Sequence, residues 1–274
     1  MTDQKRPLRL CGVFAHPDDE TLGSGGTFAR YAAEGVETYV VTATRGQRGR
    51  YRDGTDHPGP EALGRIREDE LRAACAVLGV REVSLLDYGD GDLDQAPHDE
   101  VVGRIAGHLR RVRPQVVVTF DPAGGYGHPD HVAICQFATA AVTAAADPAY
   151  PAVGGEEHPA HRVSKLYYMG WTRAKWEAYQ EAYKKLVSNV DGVERQAAPW
   201  PDWALTTVID TAAHWETVWK AVQCHESQMA MYGPLAHLSE ELHRGLWGTQ
   251  EYYRVMSLVN GGRTRETDLF EGLR

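Results

Sequence analysis

The sequence predicts an α/β domain built on a layered, mostly parallel sheet with helices on its faces. Short apolar runs typical of buried strands alternate with segments of helical periodicity over the first half of the chain. A His-Pro-Asp sequence follows such a run twice, at His16-Pro17-Asp18 and at His128-Pro129-Asp130. Alternation of this kind favours parallel strands joined by right-handed crossovers.

The first half contains most of the predicted elements. We expect strands at residues 8–15, 39–44, 83–86 and 116–120. We expect helices at residues 27–34, 61–78 and 99–112, where apolar side chains recur with helical spacing. Gly35 and Gly79 follow the first two helices, as expected for helix ends.

The second half has a different character. Residues 147–159 are rich in Pro and Gly and predict a loop, and Trp and Tyr are frequent thereafter. Strands are expected at 165–169 and 205–209, and helices at 173–187 and 212–224. We interpret residues 1–274 as a single domain, in which 1–147 form the catalytic core and 148–274 an elaboration over the active site.

Composition narrows the possible partners. The 274 residues carry a net charge of −9, which disfavours nucleic-acid binding because that function needs a basic face. No apolar stretch approaches the length of a bilayer span, and the run before His16 is too short for a signal peptide. The sequence therefore predicts a cytoplasmic protein that acts on a small molecule, and a homo-oligomer stays open.

The two His-Pro-Asp turns predict a metal site. Because strands of one parallel sheet end at the same edge, both turns place their polar side chains where open α/β sheets hold ligands. Two imidazoles and a carboxylate suit a catalytic Zn²⁺ with an open position, although Fe²⁺ uses the same ligands. A spare aspartate suits a general base. The side chains concerned are His16, Asp18, Asp19, His128 and His131.

The alternative to a metal site is a dinucleotide-binding turn, since glycines follow the first strand. Gly23, Gly25 and Gly26 do not have the Gly-x-Gly-x-x-Gly spacing. Carboxylates at the start of the following helix would also repel a phosphate group. We therefore reject that interpretation.

Three motifs carry a resemblance to a known family: Ala15-His16-Pro17-Asp18-Asp19-Glu20, Gly25-Gly26-Thr27 and Gly124-Gly125-Tyr126-Gly127-His128-Pro129-Asp130-His131. They resemble the LmbE-like (PIG-L) zinc deacetylases, which remove acetyl groups from N-acetylglucosaminyl compounds. The likeness covers the chain to about residue 142. It resumes weakly at Leu205-Thr206-Thr207, His225-Glu226-Ser227-Gln228 and Leu246-Trp247.

The resemblance implies an LmbE-like, Rossmann-like fold, a Zn²⁺ cofactor and specific roles. It implies His16, Asp19 and His131 as zinc ligands and Asp18 as the general base. His128 would stabilise the developing oxyanion and help to protonate the leaving amine.

It also implies supporting roles around these residues. Tyr126 is a candidate partner of the oxyanion, and Asp130 would orient a histidine through its outer ring nitrogen. Arg67 and Asp90 fall where relatives contact sugar hydroxyls. The alternative for Arg67 is a solvated helix face, because helical arginines are usually exposed.

A basic segment differs from the corresponding segment of the family members that act in the mycothiol pathway. Those relatives resemble Gly-Glu-x-Gly-Glu at residues 46–50. Here that segment reads Gly46-Gln47-Arg48-Gly49-Arg50, with Arg45 and Arg52 on either side. One hypothesis is a lid in which Arg50 contacts an anionic or extended substrate. The alternative is a solvated loop, because loops are commonly charged.

The favoured function is metal-dependent removal of an acetyl or other acyl group from an N-acetylglucosamine-type conjugate. A second candidate uses the same machinery as an amidase on a thiol conjugate or an N-acyl antibiotic. A third is a non-catalytic carbohydrate-binding protein. Asp18 argues against the third, because a binding protein has no use for a base beside a metal.

Overall fold

The fold comes from a computed structural model that describes residues 7–151, 153, 157–183, 187–262 and 264–274. The strands are β1 (Arg9–Phe14), β2 (Glu37–Thr44), β3 (Glu82–Tyr88), β4 (Val116–Thr119), β5 (Lys165–Gly170), β6 (Val187–Val190), β7 (Val193–Gln196), β8 (Thr207–Asp210) and β9 (Thr249–Ser257). The helices are α1 (Asp19–Ala33), α2 (Pro60–Val77), α3 (His98–Val112), α4 (Gly124–Gly127), α5 (Pro129–Ala146), α6 (Arg173–Tyr183), α7 (Trp215–Cys224), α8 (Met229–Tyr232) and α9 (Glu240–Trp247).

The central sheet confirms the predicted fold class. Within the described residues it has seven strands in the order β3-β2-β1-β4-β5-β9-β8. β1 pairs in parallel with both β2 and β4, while β9 runs antiparallel to its two neighbours. Helix α3 packs on α5, and α1 and α2 pack on α7, so helices cover both faces. The chain reverses its direction across the sheet between β1 and β4, which is where ligands bind in such folds.

Helix α1 begins earlier than the sequence predicts, at Asp19 rather than residue 27. Its glycines suggest a turn, but they lie inside the helix because neighbouring side chains leave no room for a Cβ atom. A Cβ on Gly26 would lie 2.7 Å from the Cβ atom of Thr211, and one on Gly23 would lie 2.7 Å from the sulfur of Met169. The glycines therefore allow close packing at the start of the helix.

The predicted helix over residues 173–187 is too long. Helix α6 ends at Tyr183, residues 184–186 lie outside the described chain, and Val187 begins β6. β6 and β7 form a hairpin whose two-residue turn, Asp191-Gly192, has φ angles of 53° and 77°. Asp-Gly with both φ angles positive is typical of a tight hairpin turn. The sequence signal was therefore present and was missed.

The second half completes the sheet as well as covering it. Strands β5, β9 and β8 extend the sheet beyond β4, and β9 was not predicted because it mixes polar and apolar residues. No helix in the described part of the chain is long and apolar enough to cross a membrane.

A buried carboxylate ties these last strands together. Glu266, 1% exposed, forms ion pairs with Lys165 at 2.7 Å and Arg254 at 2.9 Å. It also accepts hydrogen bonds from Tyr167 at 2.8 Å and Thr207 at 2.7 Å. Burial raises the pKa of Glu266, but the hydrogen bonds from Lys165, Asn260, Thr207 and Tyr167 outweigh that effect and lower the pKa to about 2.

We expect Glu266→Gln to destabilise the fold by about 3 kcal/mol at pH 7, because it leaves buried cations without their carboxylate. Since the pKa is lowered on folding, the native stabilisation is present above about pH 4.5 and declines as the pH falls towards 2. The difference in the free energy of unfolding between wild type and Glu266→Gln, measured with urea, should therefore become smaller as the pH is lowered from 7 to 3. Glu61→Gln, at an 88% exposed side chain, is the control; a difference independent of pH would contradict the prediction.

Candidate active site

The first His-Pro-Asp turn places two aspartates at the start of α1. Asp19 Oδ2 accepts hydrogen bonds from the main-chain N–H groups of His16 at 2.8 Å and Ala15 at 3.2 Å. Asp18 caps the helix with φ 103° and ψ −24°, a conformation that residues other than glycine rarely adopt. The turn is therefore tightly constrained, and its two carboxylates differ in surroundings.

The second turn places His128 and His131 at the start of α5. The main-chain N–H of Asp130 donates to Nδ1 of His128 at 3.2 Å, so the proton of a neutral His128 lies on Nε2. Nδ1 of His131 lies 3.2 Å from the carbonyl oxygen of Gly124 and donates to it, which leaves Nε2 as an acceptor. The ring of His131 stacks on Phe120 at 3.9 Å between centroids.

The two turns meet at one point. Nδ1 of His16 lies 3.1 Å from Nε2 of His131 and 3.7 Å from Oδ2 of Asp19. Nε2 of His131 lies 3.4 Å from Oδ1 of Asp19, although both atoms are acceptors. Ligands about 2.0–2.1 Å from a tetrahedral zinc ion lie about 3.3–3.4 Å apart. The three side chains therefore have the spacing and the facing acceptors that suit a bound cation.

A second set of carboxylates surrounds His16. Nε2 of His16 lies 3.0 Å from Oδ2 of Asp130 and 3.1 Å from Oδ1 of Asp90. Asp130 is fully buried and also accepts main-chain hydrogen bonds from Gly91 at 2.7 Å and Leu93 at 3.1 Å. Because its outer nitrogen donates to carboxylates, His16 presents Nδ1 to the point where the turns meet.

The pKa shifts indicate a site that favours positive charge. Burial opposes the charge of His16, but hydrogen bonds to Asp130 and Asp90 outweigh it and raise the pKa of His16 to about 10. Burial, followed by the charge of His16, lowers the pKa of His131 well below its usual range. Burial raises the pKa of Asp19 to about 7. A divalent cation would replace the proton of His16 and hold Asp19 ionised.

The carboxylate of Asp18 is held by Arg67, which was predicted to contact sugar hydroxyls, and by Tyr232, for which the sequence predicted no role. Nη2 of Arg67 donates to Oδ2 of Asp18 at 3.0 Å, and the phenol of Tyr232 donates to the same atom at 2.6 Å. Arg67 also binds the carbonyl oxygens of Pro17 at 2.5 Å and Gly46 at 2.9 Å. At 4% exposure Arg67 does not lie on a solvated helix face, so that alternative is wrong.

A buried ion pair lies behind the first turn. Nε2 of His225 lies 3.0 Å from Oε1 of Glu20, and both side chains are fully buried. Oε2 of Glu20 accepts the main-chain N–H of Asp18 at 2.9 Å. Burial raises the pKa of Glu20, but the charge and hydrogen bond of His225 outweigh it, and the net shift is downward. His225 lies in a segment that resembles the family only weakly. That resemblance was the only feature of the sequence that pointed to His225.

A cavity of about 790 Å³ opens at the meeting point of the turns. Its wall includes the following predicted site residues: His16, Asp18, Asp19, Arg50, Arg67, Asp90, Tyr126, His128 and His131. Asp130 is not part of that wall, because it lies behind His16. Other lining residues come from the second half of the chain, including Trp171, Tyr179, Trp200, Met231 and Tyr232.

Tyr126 lies beside the histidines. Its ring meets that of His131 edge-on at 5.2 Å between centroids. Burial, reinforced by the charges of Asp19 and Asp18, raises the pKa of Tyr126, so its phenol keeps its proton at neutral pH and can donate a hydrogen bond.

The basic segment over residues 45–52 lies at the cavity, where its arginines differ. Arg45 and Arg48 pair with carboxylates, Arg45 with Asp87 and Arg48 with Asp92. Arg50 is exposed, lines the cavity and has no ion pair among the described residues. Its carbonyl oxygen accepts a hydrogen bond from Gln228 at 2.6 Å, so the second half of the chain holds its main chain.

Comparisons with known proteins agree with this geometry. The PIG-L family model, described as GlcNAc-PI de-N-acetylase, matches residues 11–142, which include both His-Pro-Asp turns. A 1D-myo-inositol 2-acetamido-2-deoxy-alpha-D-glucopyranoside deacetylase from Geodermatophilus obscurus is 37% identical over 297 residues, covering 97% of this chain and 98% of the relative. The chain belongs to the PIG-L family. The predicted resemblance is therefore confirmed.

Solved structures share the fold of this PIG-L family member. A conserved protein from Thermus thermophilus matches with a TM-score of 0.64 and 26% identity, covering 93% of this chain and 97% of that one. An N,N'-diacetylchitobiose deacetylase from Pyrococcus horikoshii matches with a TM-score of 0.66 and 21% identity, covering 92% and 85%. Both likenesses extend well beyond residue 142, so the second half of the chain shares the architecture.

We expect the purified protein to bind one equivalent of Zn²⁺, and His131→Ala to abolish that binding. Asp130→Asn should lower the affinity for Zn²⁺ by about 10–100-fold, because an amide orients and polarises His16 less well than a carboxylate does. Competition with a chromophoric chelator measures both effects. Asp99→Asn, at a 97% exposed side chain, is the control; equal affinities for Asp130→Asn and the control would contradict the prediction.

Proposed function

We propose that this PIG-L family member is a metal-dependent hydrolase that removes the acetyl group from an N-acetylglucosamine-type conjugate. The observation that carries the proposal is Asp18, which lines the same cavity as His16, Asp19 and His131 and whose Oδ2 is already occupied by donors. Relatives that match nearly the whole chain are named as deacetylases of an acetamido sugar linked to inositol.

In this proposal His16, Asp19 and His131 hold the metal, with Zn²⁺ favoured over Fe²⁺. A divalent metal held there would supply Lewis-acid polarisation of the amide carbonyl and of the attacking water. The donor set fits this task, since Nδ1 of His16 and Nε2 of His131 both present lone pairs beside the carboxylate. Asp130 and Asp90 keep His16 oriented through its outer nitrogen.

Asp18 takes the proton of the attacking water in this mechanism. The water oxygen forms a bond to the carbonyl carbon, the carbon–nitrogen bond breaks, and the proton passes to the leaving nitrogen. The products are acetate and a free amine. Burial, followed by the charge of His16, lowers the pKa of His128, so a neutral imidazole donates its Nε2–H to the developing oxyanion. In this proposal Tyr126 donates a hydrogen bond to the same charge, and His128 also assists the leaving amine.

Arg67, Asp90 and Arg50 are the proposed substrate contacts. Asp90 uses one oxygen for His16 and accepts the main-chain N–H of Arg48 with the other at 2.7 Å. Asp90 and Arg67 both line the cavity, so we assign to sugar hydroxyls the remaining lone pairs of Asp90 and the N–H groups of Arg67 that do not bind Gly46, Pro17 or Asp18. The guanidinium of Arg50 forms no ion pair with the described residues and suits an anionic or extended group.

One observation favours the second candidate, an amidase on a thiol conjugate or an N-acyl antibiotic. The wall formed by the second half is aromatic and apolar, with Trp171 stacked on Tyr179 at 4.7 Å and Trp200 beside them in the cavity lining. A sugar face can stack on one of these rings, but a bulky apolar group would cover more of the wall.

Acetate release tests the proposal directly. N-Acetylglucosaminyl-inositol, simple N-acetylglucosaminides and N-acetylglucosaminides with aromatic aglycones would be offered to metal-stripped, Zn²⁺-restored and Asp18→Ala protein. We expect release only with metal, and a loss in kcat of about 10²–10⁴-fold in Asp18→Ala with unchanged zinc content, because a general base contributes about that factor. No release from any substrate by zinc-loaded protein would favour the non-catalytic alternative.

Charge reversal at Arg50 tests its assignment. Arg50→Glu should raise KM for anionic glycosides by about tenfold or more and change KM for neutral ones much less, since it replaces an attractive charge by a repulsive one. Arg65→Glu, on an exposed part of α2 outside the cavity lining, is the matched control. Equal effects of Arg50→Glu on anionic and neutral substrates would remove Arg50 from the recognition site.

A further inference from the structure

Two side chains of the second half act on Asp18, and the proposed chemistry uses neither of them. Tyr232, the last residue of α8, donates its phenol to Oδ2 of Asp18 at 2.6 Å. His225, just after α7, binds Glu20, which accepts the main-chain N–H of Asp18. Both side chains are buried, at 3% and 0% exposure. Tyr232 therefore contacts the carboxylate of Asp18 directly, and His225 acts on its main chain through Glu20.

The main chain of Asp18 needs such support. Its φ of 103° is unfavourable for a residue with a Cβ atom and persists only where the surroundings enforce it. Glu20 provides that constraint through Oε2, which accepts the N–H of Asp18 at 2.9 Å. Oε1 of Glu20 is fixed in turn by His225 at 3.0 Å and Thr21 at 2.5 Å. His225 thus holds the carboxylate that holds the turn.

The side chain of Asp18 is fixed from the other end. Oδ2 receives two donors, Tyr232 at 2.6 Å and Arg67 at 3.0 Å, and Arg67 is itself anchored on carbonyl oxygens. No donor from the described residues forms a hydrogen bond with Oδ1. The two donors therefore set the rotation of the carboxylate and distinguish its oxygens.

We propose that Tyr232 and His225 are positioning residues that orient Asp18, so that Oδ2 stays occupied and Oδ1 is the atom that accepts the proton. This inference rests on the proposed function, in which Asp18 is the base. It gives the second half of the chain a part in the reaction beyond lining the cavity. A base displaced by about 1 Å can lose about 10²-fold in rate, so the orientation matters.

Tyr232→Phe removes one hydroxyl and tests the first contact. We expect kcat to fall by about 10–100-fold and KM to change much less, with zinc affinity within about twofold of wild type, because the phenol binds Asp18 and none of the proposed metal ligands. Tyr31→Phe is the matched control, since Tyr31 is also fully buried and donates to a carboxylate, that of Asp268, at 2.9 Å. Its kcat should match wild type.

A double-mutant cycle separates orientation of Asp18 from any other role of Tyr232. In an Asp18→Ala background, Tyr232→Phe should change kcat by less than about twofold, since the group it orients is gone. The same loss in both backgrounds would overturn the proposal. Thermal midpoints of the metal-free proteins give a second cycle: Tyr232→Phe should lower the midpoint in wild type and have a smaller effect in Asp18→Ala.

His225 is tested by a pair of substitutions. His225→Gln keeps a donor near the position of Nε2, whereas His225→Leu removes it. We expect the glutamine variant to retain kcat within about threefold and the leucine variant to lose about 10–100-fold, both with wild-type zinc affinity. Equal kcat values for the two variants would contradict the role of His225, as would a loss of zinc affinity parallel to that of kcat.

Failure of this inference is distinguishable from failure of the proposed function. Turnover by the wild-type protein is measured first, and its absence with every substrate counts against the proposed function alone. The thermal-midpoint cycle needs no substrate and no metal, so it judges the contact between Tyr232 and Asp18 in either case. Independent midpoint effects of the two substitutions would overturn the inference.

Discussion

The site depends on one electrostatic constraint, the concentration of buried carboxylates around a small number of imidazoles. Asp19, Asp90 and Asp130 all lie within 3.7 Å of a nitrogen of His16, and such a group is stable only with positive charge among its members. Without a metal, a proton on His16 provides that charge. Much of the local structure follows from this requirement, including the turn that directs Asp19 inward and the main-chain N–H groups of Gly91 and Leu93 that hold Asp130.

The two halves of the chain form one chemical unit around this constraint. The first half supplies the turns after β1 and β4, where the sheet reverses its order. The second half extends the sheet through β5, β9 and β8, with Glu266 anchoring that end, and contributes the aromatic wall of the cavity. It also contributes His225 and Tyr232, which contact the first turn from residues far along the sequence. The family model ends at residue 142, yet the surroundings of Asp18 are completed only beyond residue 224.

Local patterns in the sequence predicted the parts of the structure that local patterns determine. The apolar runs of β1, β2 and β4 and the repeated His-Pro-Asp turns placed the sheet and brought His16 and His131 together. The predicted start of α1 was wrong because its glycines are required for close packing against Thr211 and Met169. Nothing in the local sequence indicates this packing. The contacts of Asp18 with Tyr232 and of Glu20 with His225 span 214 and 205 residues, so they emerge only from the folded chain.

The contact between Tyr232 and Asp18 has a consequence for how such enzymes diversify. Tyr232 lines the substrate cavity and also binds the residue proposed to accept the proton. Mutations around residues 225–232 that reshape the cavity for a new aglycone would therefore also disturb the contact with Asp18. If Asp18 accepts the proton as proposed, substrate range and turnover depend on the same short segment. A new specificity in this scaffold would then be expected to evolve through slow intermediates unless the changes fall elsewhere on the cavity wall.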